Sequence, residues 1–310
     1  MLRAFLLIVV GLSGDPEHGE LFHKWGSALA AASEKVGVTP DRLVYLADAK
    51  EDDARGSGRA TREEIDKAFA AFAKAAAPDD VVYVVLLGHG TYDGQTARFN
   101  LPGRDMTPAD FNTLLRRLPT RNLVFVNTAS ASAPFVEELS GPGRTIVSAT
   151  RTGAQQFTTL FGGYFVEAFS TESADADKNG RLSMLEAFRY AKAEVTRAYE
   201  REGLLATEHA LLDDNGDKTG SQDPMPTGPD GKLAAALSLG SAADAAPLPD
   251  DPRLRALHLE RRDLERRVEA LRLLKDSMPP ARYASELERR LTDLALKTRE
   301  IRRLEGDPKP

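Results

Sequence analysis

His89 stands between two glycines at the end of the apolar run VVYVVLL (81–87), and Ser130 and Ser132 close a second such run in NLVFVNTASASA (122–133). A neutral imidazole can take a proton from a hydroxyl as it attacks, and an amide beside a glycine can face a developing oxyanion. Gly88-His89-Gly90 and Ser130 are therefore candidates for acyl transfer. Glycines flanking the histidine let the backbone turn sharply and approach a substrate. The competing reading makes His89 a packing residue. A second group of chemistry-bearing residues is D-A-D-K-N-G-R-L-S-M-L-E, residues 175–186. Oxygens at alternate positions wrap a hard cation. Asp175, Asp177 and Asn179 occupy the first, third and fifth places, Gly180 permits the tight turn, the Arg181 carbonyl fills the seventh place and Glu186 closes the loop. This spacing predicts an EF-hand-like loop for Ca2+, and its alternative is an Asp/Asn/Gly turn followed by a helix cap. A shorter acidic turn, Asp213-Asp214-Asn215-Gly216-Asp217, lacks the glycine and the terminal glutamate of that pattern. It reads as a weak cation loop or a solvated turn.

Other chemistries find no support in the residues. There is no cysteine, so disulfides, thiolate metal sites and thiol nucleophiles are excluded. The sequence GLSG after the first apolar run lacks dinucleotide-binding spacing, no P-loop lysine motif occurs, and His18 and His23 stand five apart, wrong for a helical zinc pair. Trp25 and the helix-spaced phenylalanines read as core. A net charge of −6 disfavours nucleic acid as a partner, although residues 253–305 carry 15 Lys and Arg against 10 Asp and Glu. No apolar run reaches the length of a membrane span. The opening MLRAFLLIVVGLSG lacks a small-residue cleavage site and reads as a buried strand rather than an export signal, with cytoplasm and periplasm both left open.

The elements that must position these groups follow from periodicity. AFLLIVV (4–10), RLVYLA (42–47), VVYVVLL (81–87), NLVFVNT (122–128) and TIVSAT (145–150) are continuous apolar runs, which buries both faces of a strand. Amphipathic stretches alternate with them, one opened by Thr61 and Glu64 as a capping box. The order predicts an α/β fold with a doubly wound, mainly parallel sheet. Ligands then bind at the carboxyl ends of the strands, where His89 and Ser130 stand. Residues 1–212 form the expected main domain. Residues 213–251, rich in Pro, Gly, Asp and Ala, read as a linker or loosely packed loop. Residues 252–305 carry a broken three-and-four leucine spacing around Pro279-Pro280, which predicts an antiparallel helical hairpin of coiled-coil type. Arg261 and Lys275 on its seam leave a stripe for the main domain, a partner or a second copy to cover.

A first strand with an acidic loop, Gly58-Arg59-Ala60-Thr61-Arg62, a strand ending in His89-Gly90 and a strand ending in small residues together resemble the caspase and legumain-like peptidases, most of all the bacterial legumain-related branch. The resemblance covers about residues 3–200. It implies a caspase-like sheet, His89 as general base, the amides of Gly90 and Ser130 as oxyanion hole, and Ser130 at the place of the cysteine nucleophile. Family members read Ala-Cys-Glu-Ser-Gly where this chain has Ala129-Ser130-Ala131-Ser132-Ala133. An alcohol needs its proton removed during attack, commonly with a third group orienting the base, and Asp15, Glu17 and His18 are the candidates. Two expectations result. One is a degenerate peptidase homologue that binds calcium and a peptide or protein ligand; the other is an active serine endopeptidase using Ser130 and His89, with specificity in the loops after the first and fifth strands, including Arg151 to Gln156.

Overall fold

Strand β1 (Ala4–Val10) shows why a continuous apolar run was needed: Leu6, Ile8 and Val10 enter one core and Phe5, Leu7 and Val9 the other. Each such side chain contributes about 1.5–3 kcal/mol over leaving it in water. The computed structural model describes residues 3–48, 58–241, 248–273 and 278–305, and the chain divides into two compact units. The first holds a seven-stranded sheet made of β1, β2 (Leu43–Ala47), β3 (Gly58–Arg59), β4 (Val81–Leu87), β7 (Asn122–Asn127), β8 (Arg144–Ser148) and β10 (Leu211–Asp213). Its order is β10-β8-β7-β4-β1-β2-β3, and every pairing is parallel except that of β10 with β8. The chain moves outward from β1 to β3 and then resumes at β4 on the other side of β1. The direction of winding therefore reverses between β1 and β4, which opens a crevice at their carboxyl ends.

Helices cover both faces. Phe22 and Leu29 of α1 (Pro16–Lys35), Phe161 and Phe165 of α5 (Phe161–Ala168), and Leu185 and Phe188 of α6 (Met184–Glu202) fill one core. Phe69 and Phe72 of α2 (Arg62–Ala75), Phe111 and Leu114 of α3 (Pro108–Leu115), and Phe135 and Leu139 of α4 (Ala133–Leu139) fill the other. Only half of the expected capping box forms on α2. Thr61 Oγ1 accepts from the Glu64 amide at 3.3 Å, but the Glu64 carboxylate takes Lys67 at 2.6 Å instead of turning back. No helix among the described residues is long and apolar enough to cross a membrane.

The stretch expected as a linker is ordered up to residue 241 and corrects that expectation. It contributes the end of β10, a short helix α7 (Lys232–Ala236) and strand β11 (Ser238–Ser241), which pairs with β9 (Arg181–Ser183). Ala234, Leu237 and Leu239 are buried in the main core. Proline excludes long regular elements but not turns, and here carboxylates satisfy the freed amides: Asp214 accepts from Gly231 and Ala234, both at 2.8 Å. Residues 242–247 lie outside the described part.

The second unit contains helices Pro252–Leu273 and Pro280–Glu305. His258 meets Glu305 at 2.9 Å, Glu260 meets Lys297 at 2.7 Å, and Arg290 donates to the Arg267 carbonyl at 2.7 Å. Lys275 falls outside the described residues.

Candidate functional site

Four adjacent parallel strands deliver their following loops to one edge: Gly11–Asp15 after β1, Gly88-His89 after β4, Thr128–Ser132 after β7 and Ala149–Leu160 after β8. His89 and Ser130 thus stand at the ends of neighbouring strands, His89 beside the crevice where the winding reverses. Gly90 starts a small hairpin of β5 (Gly90–Tyr92) and β6 (Ala97–Phe99) that rises from this edge.

The half-buried His89 imidazole faces the loop after β1 and helix α1. Its ring lies edge-on to His18 at 4.7 Å and to Phe22 at 5.0 Å. Burial pushes its pKa below the ordinary 6.5, and the neighbouring His18 pushes the same way, against weaker pulls from Ser13 and Asp15. A neutral imidazole, the form a base needs, results. Asp15 accepts from His18 Nδ1 at 2.6 Å and caps α1 through the His18 amide at 2.9 Å, while His18 Nε2 lies 3.5 Å from Thr158 Oγ1. Asp15 and His18 therefore form a pair packed against the candidate base, and Glu17 sits in the exposed first turn of α1. Removing His18 tests the electrostatics. In His18→Gln the His89 midpoint, followed by proton NMR, should rise toward 6.5, and a midpoint that stays or falls would refute the assigned cause. Because the folded pKa is depressed, His89 stabilises the fold above 6.5 and loses that contribution as pH falls through its folded value.

Ser130 is engaged elsewhere. It is 4% exposed, its hydroxyl donates to the Gly90 carbonyl at 2.9 Å, and the Gly90 amide donates to Ser130 Oγ at 3.2 Å. Among the described residues no hydrogen bond joins it to His89. The amide expected to stabilise an oxyanion is turned onto the serine itself. Ser132 is fully buried and accepts from the amides of Ala149 at 3.0 Å and Thr150 at 3.2 Å, a structural role that ties the turn after β7 to β8. Between the two serines Ala131 adopts a left-handed φ of 54°, which costs a non-glycine residue about 1–2 kcal/mol. Its amide is held by the Gln155 carbonyl at 2.8 Å.

Gln155 organises the loop that the sequence singled out as Arg151 to Gln156. Its side-chain nitrogen lies 2.6 Å from His209 Nδ1 and donates to the Thr207 carbonyl at 3.0 Å, and its Oε1 accepts from the Arg151 amide at 2.6 Å. Gln156 reaches the Tyr92 carbonyl at 3.3 Å. This pins the loop across the rim between the β5–β6 hairpin and α1. Phe157, 71% exposed, and the exposed Leu160 and Leu12 leave apolar side chains in water around it.

The acidic loop lies between α5 and α6. Asp175 accepts from the Asn179 amide at 3.1 Å and the Gly180 amide at 2.8 Å, Asp177 from the Asn179 amide at 3.1 Å, and Asn179 Oδ1 from the Arg181 amide at 2.8 Å. Gly180 takes a left-handed φ of 79°. Glu186 accepts from the amides of Ala176 at 3.0 Å and Asp177 at 3.3 Å through one oxygen, and from Ser183 through the other, closing a capping box for α6. One oxygen each of Asp175, Asp177 and Glu186 lies within 4.8 Å of the others, so the triad could hold a metal ion. Burial and the charges of Glu186 and Asp175 raise the Asp177 pKa. That is the electrostatic state expected of carboxylates gathered without a counter-charge.

No protein-family model and no curated protein matches the chain.

Of the residues singled out in the sequence, His89, Gly90 and Ser130 share one rim, and Asp175, Asp177, Asn179, Arg181 and Glu186 share one loop. Gln155 lies in the Arg151–Gln156 loop that the sequence offered, whereas its partner His209 was not singled out. Nothing local in the sequence marks His209, since it acts through a residue 54 positions away in the chain.

Proposed function

We propose that the α/β unit is a caspase/legumain-like peptidase homologue that holds a peptide or protein ligand at the His89–Ser130 rim without cutting it, with Ca2+ in the EF-hand-like loop Asp175–Glu186. The observation that carries the first part is the Ser130 hydroxyl, buried and bonded in both directions to the Gly90 backbone while the imidazole packs on His18 and Phe22. An alcohol has no standing thiolate-like form and depends on a base in contact with it. The exposed apolar side chains of Leu12, Phe157 and Leu160 supply a surface for the ligand. The second unit, read as an antiparallel helical hairpin, offers Tyr283, Leu287, Leu291 and Ala295 at a four-residue spacing to a partner or second copy.

The alternative, an active serine endopeptidase, is favoured by one observation: Asp15, His18 and His89 lie in succession beside the candidate nucleophile's strand. A fluorophosphonate probe decides between them. The protein is expected to remain unlabelled with and without calcium. Labelling that disappears in Ser130→Ala would replace the binding reading with the peptidase. Ser130→Cys, tested with an iodoacetamide probe, is expected to alkylate no faster than a free thiol, because His89 is not bonded to that position.

A further inference from the structure

The stretch Asp213–Thr219 leaves the far end of the sheet from the His89–Ser130 rim. β10 runs antiparallel to β8, Asp213 pairs with Ile146, and the turn rests on residues ahead of β8, with the Lys218 amide donating to Ser140 Oγ at 3.0 Å. Its backbone shares several features of the first acidic loop. Lys178 and Gly180 have φ of 55° and 79°; Gly216 and Lys218, at the same fourth and sixth places, have 82° and 71°. The missing glycine at the sixth place is thus no obstacle, because Lys218 adopts the left-handed conformation itself. The amide of the fifth residue reaches the third side chain in both, Asn179 to Asp177 Oδ1 at 3.1 Å and Asp217 to Asn215 Oδ1 at 2.7 Å. The amide of the seventh reaches the fifth, Arg181 to Asn179 Oδ1 at 2.8 Å and Thr219 to Asp217 Oδ1 at 2.7 Å.

Loop shape alone is not a ligand site, and a separate observation points to one. Asp213 is 0% exposed; Oδ1 of its carboxylate is seated inside the turn by the Gly216 amide at 3.0 Å, and its Oδ2 is buried with no hydrogen-bond partner. An unpartnered buried carboxylate oxygen is costly and demands either a proton or a cation. Asp230 stands across from the turn, 4% exposed, and accepts from the Asp214 amide at 3.1 Å. Asp214 itself is spent on the Gly231 and Ala234 amides.

We propose that the Asp213–Thr219 turn is a second divalent-cation site, taking Ca2+ through the carboxylates of Asp213 and Asp217, the amide oxygen of Asn215 and the Thr219 carbonyl. Hard cations take about six to eight oxygens, and loops of this kind supply them from alternate positions. The carboxylates here do not converge within 4.8 Å as Asp175, Asp177 and Glu186 do. Neutral oxygens must therefore complete the shell, and the site is the weaker of the two.

Calorimetric titration of the full chain with CaCl2 tests this, using Glu186→Gln as background so that the first loop and the second are read separately. The Glu186→Gln protein should keep one saturable calcium per chain. Adding the exposed substitution Asp217→Asn should weaken that remaining binding by roughly ten-fold or more. Asp217→Asn alone should leave the tighter site intact, which also reports that the variant is folded. Absence of saturable calcium binding in Glu186→Gln, or residual binding unchanged by Asp217→Asn, overturns the second site. A wild-type titration that loses binding only with Asp217→Asn would remove the first loop's assignment and leave this one standing.

Discussion

Glu186→Gln should lower the calcium affinity of the Asp175–Glu186 loop by roughly 10- to 100-fold, about 1.4–2.7 kcal/mol. In the proposed calcium loop Glu186 is the residue that would offer both oxygens to the ion, and its amide replacement puts an NH2 where one of them stood. The apo protein feels the change too, since both carboxylate oxygens accept hydrogen bonds from the loop and from Ser183. A second substitution separates the two effects. Asp177→Asn removes a carboxylate whose ionisation burial, Glu186 and Asp175 all oppose. Its folded pKa is raised, so its ionisation costs stability as pH rises through that value. Without calcium, Asp177→Asn should raise the thermal midpoint at pH 7 while weakening calcium binding. Titration of Glu186→Gln that matches the wild type, or a lower apo midpoint for Asp177→Asn, would count against the loop as a cation site.

Gly90→Ala should destabilise the α/β unit by about 1–3 kcal/mol. A Cβ at position 90 would lie 2.3 Å from the Ser130 carbonyl oxygen and 3.1 Å from that of Arg98. Both neighbours are backbone atoms, one in the turn after β7 and one in β6, so neither can swing aside as a side chain would. Against this, alanine restricts the unfolded chain and returns only about 0.4–1 kcal/mol. The clash therefore wins. Urea unfolding followed by circular dichroism measures it, and a midpoint equal to the wild type would show that Ser130 and Gly90 are not in the contact described. The same glycine that the sequence offered as an oxyanion donor is thus fixed first by packing, with its amide already given to Ser130 Oγ.

How much of this was legible depends on the range of the contacts involved. The parallel strands were readable because burial on two faces writes a continuous apolar run into the chain, as in β1 and β4. The clustering of Asp175, Asp177 and Glu186 was readable because these carboxylates are neighbours in sequence, at a spacing set by the turn itself. Residues 213–241 were misread as a linker because composition marks proline and glycine but not the long-range partners of the acids. Asp214 bonds the start of α7, and Tyr83 donates to the Ser238 carbonyl at 2.6 Å. The shape of the second acidic turn was not legible for a related reason: its sixth residue is Lys218, and nothing in the sequence tells that a lysine there adopts the conformation a glycine would supply.

By itself the sequence determined the α/β alternation, the strand ends that carry His89 and Ser130, and the register of oxygens from Asp175 to Glu186, because local periodicity and spacing govern all three. Only the tertiary structure decided which partner each functional group takes. Ser130 bonds the Gly90 backbone, His89 packs on His18 and Phe22, and Asp213 keeps a buried oxygen without a partner. A side chain's chemistry is set by whatever the fold places within about 3–5 Å of it, and those neighbours come from parts of the chain that no local pattern connects.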